Sequence, residues 1–444
     1  MADDAPEKLT TWAAKSQSRA VEAVRTLVVP LLLMLVTPPT AIALWICCRY
    51  LDGEISRLPT IEGWQQLVTH WPWPTLTAAE IILGFVLLQI VLLRLLPGRI
   101  YQGPVTPMGN RPRYKLNGVA AYLTTHGLLF GLWLGLGWPR PSMVWDHFGA
   151  ILATLVLLAL ALCVLLYVKG TRFPSSTDHS RSGNVIWDFF WGTELHPTLG
   201  GINLKQLVNC RVSMTGWSVI VVCFAWKQVE LYGELSSSMA VCVAVQWIYL
   251  LKFFWWESGY FGSLDIMHDR FGYYICWGVL SWVPAVYAIA AQYLVMHPIH
   301  LPWPYAALCL GLGLGAIWVN YDADAQRQRT RATEGKTTVW GKAPELIRAE
   351  YRTGDGRTHT SLLLVSGWWG VARHFHYVPE ITLALAWTLP ALFGALVPYV
   401  YPLFLTILLT HRAGRDDRRC DRKYGAAWQQ YRARVRWRIL PGVY

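Results

Sequence analysis

The sequence predicts an all-α, polytopic membrane protein with about ten transmembrane helices. Apolar residues make up 54% of its 444 residues and charged residues only 15%, which is too apolar for a soluble protein of this size. Apolar runs long enough to cross a bilayer recur along the chain. Many of its 25 tryptophans and 21 tyrosines stand near the ends of these runs, as the aromatic belts of membrane proteins require.

Each of the first eight predicted helices is one apolar run. The ninth run, 381–409, is too long for one span and contains Pro390, Pro398 and Pro402, so we expect a hairpin of two short helices that turns near 394–398. The eight single runs are 27–50, 78–96, 118–138, 148–168, 213–231, 239–256, 271–295 and 302–319.

The distribution of charge predicts the orientation. Lys8 and Lys15 precede the first run, and Arg111 and Arg113 lie between the second and third, so these segments are expected inside. Ten spans then place both termini in the cytoplasm. The net charge of +12 contains no long uninterrupted basic run, which argues against nucleic acid as the main partner.

Cysteine, histidine and glycine patterns predict packing rather than metal or nucleotide chemistry. The nine cysteines show no CxxC spacing, so we expect reduced packing residues without disulfides or zinc. His374 and His376 are two apart and have no suitably spaced carboxylate, so no metal is predicted. Three alternating glycines at 311–315 lie inside an apolar run with no strand before them, which favours close helix packing over dinucleotide binding.

The segment 410–444 is a basic tail that follows an apolar run. Its cations stand among aromatic residues, a combination that suits the phosphates and rings of a nucleotide. The spacing of Tyr424, Trp428 and Tyr431 predicts that the three rings share one helix face. The alternative is a solvated tail whose charge only sets the topology.

The loop 320–377 is expected to be cytoplasmic and to fold back onto this tail. Arg327, Arg329 and Arg331 alternate at its start, and arginines at 327 and 331 would present two guanidinium groups to a phosphate. Residues 350–364 predict a small β-hairpin around 354–356. The chain is thus predicted to divide into an N-terminal segment 1–26, spans one to four with their connecting loop at 27–212, and a C-terminal half 213–444.

The tail contains a spaced signature, His411-Arg412-x-x-Arg415-Asp416-x-x-x-Cys420-x-x-Lys423-Tyr424-Gly425-x-x-Trp428-x-x-Tyr431. This signature resembles that of the sterol reductase family, which includes the C14-, C7- and C24-type reductases and the membrane domain of the lamin B receptor. Segments 103–118, 252–257 and 265–269 are also similar to that family. Segment 366–380 is most similar to the plant-type C7 branch, the delta-7 or 7-dehydrosterol reductases. Thr198 departs from the family pattern, which has arginine there.

The resemblance implies an NADPH-dependent enzyme that reduces a ring carbon–carbon double bond of a sterol taken from the bilayer, of the delta-7 type. It implies the endoplasmic reticulum membrane in a eukaryote, or the inner membrane in a bacterium. C14 or C24 reduction, a non-catalytic sterol-binding protein and an isoprenylcysteine-type methyltransferase remain alternatives. The implied NADPH contacts are Arg327, Arg331, Leu364, Trp369, His376, Tyr377, Asp416, Cys420, Asp421, Arg422, Lys423, Tyr424 and Tyr431.

The chemistry of such a reduction predicts the catalytic candidates. An alkyl-substituted double bond is not an electrophile, so one carbon must be protonated before the other accepts hydride. This requires an acid that stays protonated near neutral pH. We favour Tyr260 and Asp416 as a proton-relay pair. The other candidates, at the ends of spans six and seven, are Glu257, Asp265 and His268, with Asp269 beside them.

Overall fold

The computed structural model describes residues 19–444 and confirms a mostly helical membrane protein. Within this range, eight helices are long and apolar enough to cross a bilayer, and they match the eight predicted single runs. Residues 1–18 of the predicted N-terminal segment 1–26 lie outside the described residues. Spans one to eight are Val21–Tyr50, Leu76–Leu95, Gly118–Leu136, Phe148–Arg172, Gln206–Tyr232, Ser237–Trp255, Tyr273–Met296 and Trp303–Ala332.

Contacts divide the chain into two compact units. The first unit comprises Met1–His300, as far as it is described, with Ala391–Pro398. The second comprises Leu301–Pro390 with Tyr399–Tyr444. The units are defined by contacts alone, so they do not test the predicted boundary between residues 212 and 213, which stays a prediction.

Spans five and seven are the most buried of the eight and form the interior of the first unit. Each contains a π-helical stretch, Gln206–Met214 and Gly278–Tyr287. The two stretches pack together, and Ser213 Oγ donates a hydrogen bond to Val279 O at 2.7 Å. Such wide turns change which side chains face inward, and π-helical segments are frequent at functional sites.

The three loops at one end of the first unit are interlocked. The loop after span two contains an antiparallel pair, β1 (Arg99–Gln102) and β2 (Arg113–Leu116), and the loop after span four contains a second, β3 (Thr198–Leu199) and β4 (Ile202–Asn203). Asn110 Nδ2 of the first loop donates to Asp178 Oδ2 at 2.7 Å. Phe271 N, after span six, donates to Glu194 O at 2.9 Å. The loops therefore support one another.

In the second unit, span eight continues well beyond the predicted end at 319. It stays helical to Ala332, so Arg327 and Arg331 stand on a helix rather than at the start of a loop. The predicted β-hairpin is confirmed as β5 (Leu346–Arg352) paired with β6 (Thr358–Leu364).

The interrupted ninth run forms two helices, as predicted. The first is Tyr377–Thr388, and the second, the tail helix, is Val400–Tyr424. Short 3₁₀ turns, Leu389–Ala391 and Val397–Tyr399, lie between them. Neither helix meets the length and composition of a full span, because the first has 12 residues and the second half of the tail helix is charged.

The prediction that Tyr424, Trp428 and Tyr431 share one continuous helix is wrong. Gly425 adopts a positive φ of 51° and ends the tail helix, and a new helix, Ala426–Arg434, follows. A positive φ is accessible to glycine without the steric cost that a Cβ brings. The rings remain neighbours across the break, with centroids 6.5 Å apart for the first pair and 4.9 Å for the second.

The alternating glycines of span eight do not all pack closely. A Cβ added to Gly311 or Gly315 would meet nothing within 4 Å, and only Gly313 is buried. The predicted packing role is therefore wrong for Gly311 and Gly315, because both lie on the exposed side of the helix.

Candidate active site

Asp417 is a buried carboxylate that joins three parts of the second unit. Its Oδ1 lies 3.2 Å from Arg373 Nε and accepts a hydrogen bond from Trp428 Nε1, also at 3.2 Å. Its Oδ2 lies 3.2 Å from Arg438 Nη2. The Asp417 and Arg373 side chains are each only 4% exposed, so their ion pair is shielded from water, whereas Arg438 is 34% exposed. They connect the tail helix, the segment after β6 and the C-terminal residues.

The C-terminal residues lie alongside Arg373 and His374. Arg373 N donates to Trp437 O at 3.0 Å, and His374 N donates to Arg438 O at 2.7 Å. Arg373 Nη1 donates to Val435 O at 2.7 Å. The backbone on both sides of His374 is thereby fixed.

Asp416 faces different partners from its neighbour. Its Oδ1 accepts a hydrogen bond from Arg419 Nε at 2.8 Å, and its Oδ2 lies 3.9 Å from His374 Nδ1. Burial alone would raise the pKa of the Asp416 carboxyl, but the charge and hydrogen bond of Arg419, together with the charge of Arg327, outweigh burial and lower this pKa to about 2. Asp416 is therefore ionised at neutral pH. A proton donor needs the opposite state.

His374 is a buried neutral imidazole beside this carboxylate. Burial lowers its pKa, and this effect exceeds the opposing effect of Asp416 and Asp417. Its ring stacks on Tyr377 with centroids 5.4 Å apart. Its Nε2 is buried and has no hydrogen-bond partner within the part of the chain that is described.

Three arginines converge in the second unit. Arg327, Arg331 and Arg419 lie close enough for their charges to act on one another. The Arg327 guanidinium carbon lies 4.3 Å from the centroid of the Trp369 ring, and its Nη2 lies 3.2 Å from Asp324 Oδ1. Arg331 is exposed. Like charges held together cost free energy, which a bound anion would offset. This is the arrangement that the phosphates of a nucleotide cofactor fit.

Several aromatic residues of the predicted cofactor set form the wall beside these arginines. Trp369 Nε1 donates to Ala323 O at 2.7 Å, and Tyr431 Oη donates to Trp369 O at 3.0 Å. The His376 ring lies 5.0 Å from that of Trp369 and 4.3 Å from that of Tyr377. The Trp369 and Tyr431 donor groups thus bond to backbone carbonyls, which fixes the position of these rings.

The predicted tail residues divide between the interior and the surface. Lys423 Nζ lies 3.8 Å from the centroid of the Tyr351 ring on β5, and Tyr424 Oη lies 3.4 Å from Ser361 Oγ on β6. Arg422 is exposed, and Asp421 is half-buried. The predicted cofactor residues whose side chains are buried are Leu364, Trp369, Tyr377, Cys420 and Tyr431.

Cys420 belongs to a hydrophobic cluster rather than to a reactive site. It packs with Ile347, Leu363 and Trp428, and burial raises the pKa of its thiol to about 12. All nine cysteines are buried, as predicted for packing residues, and all are free. In the range 19–444, no three His, Cys, Asp or Glu side chains form a group that could hold a metal ion.

Glu257, one of the catalytic candidates, forms a buried ion pair with Arg211. Both carboxylate oxygens contact Arg211, with Glu257 Oε2 3.1 Å from Arg211 Nη2. Arg211 Nη2 also donates to Asn117 Oδ1 at 3.0 Å. A Cβ on Gly118 would lie 2.7 Å from Glu257 Oε2, so the packing is tight. This bidentate pair indicates a structural role for Glu257, in contrast to the predicted catalytic one.

The segment that carries Asp265 and His268 is held by Lys205. The fully buried Lys205 Nζ donates to Ile266 O at 2.8 Å and also to the carbonyl of Asp269. Burial lowers the pKa of Lys205 to about 7, although the charges of Asp269 and Asp265 act in the opposite direction. Lys205 therefore positions the candidates Asp265 and His268 through the backbone of the residue that follows each of them.

Tyr260 lies in the first unit, in the short helix Glu257–Tyr260, and its ring centroid is 4.8 Å from that of Phe253. Asp416 belongs to the second unit. The structure thus brings together the predicted cofactor residues of span eight, the segment after β6 and the tail, and it places the remaining catalytic candidates near the helix ends of the first unit.

Three residues of these sites were not predicted from the sequence: Lys205, Arg211 and Asp417. Arg211 is a charged residue next to an apolar run, and that position was the only signal in the sequence. Asp417 could not be distinguished from Asp416 in the sequence, because the sequence does not show which side of the helix faces the interior.

The helices and these polar clusters define a multi-pass membrane protein that carries ionisable sites at the ends of its spans. The chain belongs to the ergosterol biosynthesis ERG4/ERG24 family, whose sequence profile matches residues 38–444. The family predicted from the motifs, the sterol reductases, is thereby confirmed.

Relatives of similar length support this membership. The chain is 48% identical to a 7-dehydrocholesterol reductase of Arabidopsis thaliana, over 92% of this chain and 95% of that protein. It is 36% identical to a Delta(14)-sterol reductase of Methylotuvimicrobium alcaliphilum, over 93% and 94% of the two chains. A 7-dehydrocholesterol reductase of Xenopus laevis is also 36% identical, over 87% and 85%.

The Asp417 network generates a prediction about stability. Asp417→Asn leaves Arg373 and Arg438 without their buried counter-charge, so we expect the unfolding free energy to fall by about 3–5 kcal/mol. Thermal unfolding in nanodiscs measures this as a lower Tm. Asp421→Asn, on the same helix but half-buried, is the matched control and should change Tm little. An unchanged Tm for Asp417→Asn would contradict the proposed importance of these ion pairs.

Proposed function

We propose that this protein is a sterol reductase that uses NADPH to reduce the delta-7 double bond of a sterol. Family membership supports the reductase class, and sterol reductases generally use a nicotinamide cofactor. The choice of bond is supported by the 48% identity to a 7-dehydrocholesterol reductase and by the C7-type motif at 366–380. Reduction at C14 is the second candidate, because the Delta(14)-sterol reductase is as similar as the Xenopus enzyme.

The convergence of Arg327, Arg331 and Arg419 is the observation that supports NADPH in particular. NADPH differs from NADH by one phosphate on a ribose, and a charge-assisted hydrogen bond to such a group is worth about 1.5–3 kcal/mol. We propose that Arg327 and Arg331 bind this phosphate. Bound NADPH would supply a hydride to the sterol carbon.

The remaining residues of the predicted set would shape and hold the cofactor site. Trp369, His376, Tyr377 and Tyr431 would provide its aromatic wall, and Leu364 and Cys420 would pack behind it. Asp416 would hold Arg419 through its ion pair. The tail residues Asp421, Arg422, Lys423 and Tyr424 complete the proposed set.

We propose Tyr260 as the group that supplies the proton. A tyrosine side chain carries a hydroxyl proton that it can donate, whereas Asp416 is ionised. Tyr260 would transfer its hydroxyl proton to one carbon of the double bond as hydride reaches the other carbon, and a proton from water would restore the hydroxyl. Asp416 remains the predicted second member of this relay. Asp265 and His268 remain secondary candidates. Glu257 would position Tyr260 through the short helix that they share.

The sterol would enter from the bilayer and bind through apolar burial, which contributes about 25 cal/mol per Å². In a eukaryotic cell the endoplasmic reticulum membrane is the proposed location, with both termini cytoplasmic. A non-catalytic sterol-binding protein would keep the fold without consuming NADPH. The match along nearly the whole chain gives no support to the methyltransferase alternative.

Sterol analysis tests the proposed reaction. A host that makes this protein is fed sterols unsaturated at C7, C14 or C24, and its sterols are identified by mass spectrometry. We expect loss of the C7 double bond. Reduction only at C14 would select the second candidate, and no reduction of any substrate with added NADPH would favour a non-catalytic protein.

The arginine pair generates a prediction about cofactor choice. Arg327→Ala or Arg331→Ala should raise the KM for NADPH about tenfold or more, because a charge-assisted contact is lost, with far less effect on NADH. Arg329→Ala is the control, since Arg329 is exposed on the same helix between the two. Equal losses for both cofactors would mean that these arginines do not bind the additional phosphate.

The proposed relay is tested with Tyr260→Phe and Asp416→Asn. Each should lower single-turnover rates by about two to four orders of magnitude, the effect of losing a positioned acid or base. Tyr260→Phe should leave NADPH affinity and Tm unchanged. Asp416→Asn should weaken NADPH binding in addition, because Arg419 loses its partner. A normal rate in Tyr260→Phe would refute its role as donor, and weak binding with a normal rate in Asp416→Asn would restrict Asp416 to the cofactor.

A further inference from the structure

Residues 333–345, called here the return loop, run back along the helix that they leave. At its start, Gly335 N donates to Thr330 O at 2.8 Å. Farther on, Val339 and Gln326 approach the same glycine: a Cβ on Gly367 would lie 2.5 Å from Val339 Cγ1 and 2.1 Å from Gln326 Oε1. The loop has then descended one helical turn from Thr330.

Trp340 brings the loop one turn lower. Its ring centroid lies 5.0 Å from that of Trp368, and Trp368 Nε1 donates to Asp322 Oδ2 at 2.8 Å. Thr330 and Asp322 are eight residues apart, which corresponds to about 12 Å along a helix. Trp340 is therefore held near the level of Asp322.

That level coincides with the boundary of the bilayer. Span eight begins at Trp303, and about 20 residues at about 1.5 Å each are needed to cross the hydrocarbon core, which places the boundary close to Asp322. Trp318, one turn earlier on the same helix, is 62% exposed. Membrane proteins concentrate tryptophan at this interface.

Trp340 has an unfavourable conformation for a residue in water. Its φ is +52° and that of Gly341 is +76°, and Val339 N donates to Lys342 O at 2.8 Å across the turn. Two successive positive φ values are typical of a type I′ turn, in which Asn, Asp or Gly is preferred. Yet Trp340 as a whole residue is 57% exposed. Both the strained backbone and the exposed ring would be offset if the ring were buried in the headgroup region.

We propose that the return loop is a second membrane contact of the protein. The Trp340 ring inserts among the headgroups of the leaflet from which span eight emerges, and the exposed Lys336 and Lys342 bind lipid phosphates. The partner is an anionic phospholipid surface. Val339 packs against Leu364 and Trp369, so the contact supports the wall that those residues form. This inference does not depend on the proposed reaction.

Lipid quenching of a single label tests the proposal. Because the nine native cysteines are buried, Ala343→Cys in the full-length protein can carry the only fluorophore. The protein is placed in nanodiscs of phosphatidylcholine and phosphatidylserine with nitroxide-labelled headgroups. The matched control is a label at Arg357→Cys, at the tip of the β5–β6 hairpin, because seven-residue strands place it about 20 Å from the base of the hairpin.

We expect the label at 343 to be quenched several-fold more strongly than the label at 357. Trp340→Ser should reduce this quenching, and Lys336→Gln with Lys342→Gln should remove any preference for phosphatidylserine. Equal quenching at 343 and 357 would overturn the proposal. This comparison requires no substitution in the return loop other than the label site itself. Energy transfer between labelled copies without lipid quenching would also overturn it, because the loop would then contact a second copy.

Discussion

The ion pairs of Asp417 are the interaction on which the arrangement of the second unit depends. One carboxylate forms ion pairs with both Arg373 and Arg438, which belong to segments far apart in the chain, and it also accepts a hydrogen bond from Trp428. In a shielded position, a lone charge of either sign would be costly, so the three segments gain stability only when they assemble together. The backbone around His374 is fixed as a result.

Adjacent aspartates on the tail helix have separate tasks because successive helical residues point about 100° apart. Asp417 faces the interior, whereas Asp416 faces the cations of the proposed cofactor site. The low pKa of Asp416 follows from those cations, and it ensures a negative charge beside an otherwise positive group. The excess of arginine that remains is what makes the site suited to a phosphate-bearing ligand.

Much of the fold was predictable from the sequence because hydropathy and span length are strong local signals. The eight single spans, the β-hairpin and the pair of helices after it were all predicted. The end of span eight at Ala332 was not, because its polar extension lacks the apolar pattern that marks a membrane helix. The break at Gly425 was also missed, and so were the buried cations Lys205 and Arg211, since their partners come from distant segments.

The partners of Lys205 and Arg211 also constrain how the chain can be assembled during translation. Lys205 requires the carbonyls of Ile266 and Asp269, and Arg211 requires Glu257, all of which are synthesised 46 to 64 residues later. Until the residues after span six have been made, Lys205 lacks both of its carbonyl acceptors, and Arg211 has the neutral acceptor Asn117 Oδ1 but no counter-charge. The first five spans thus form an unfinished intermediate, and the completion of the first unit waits for the sixth.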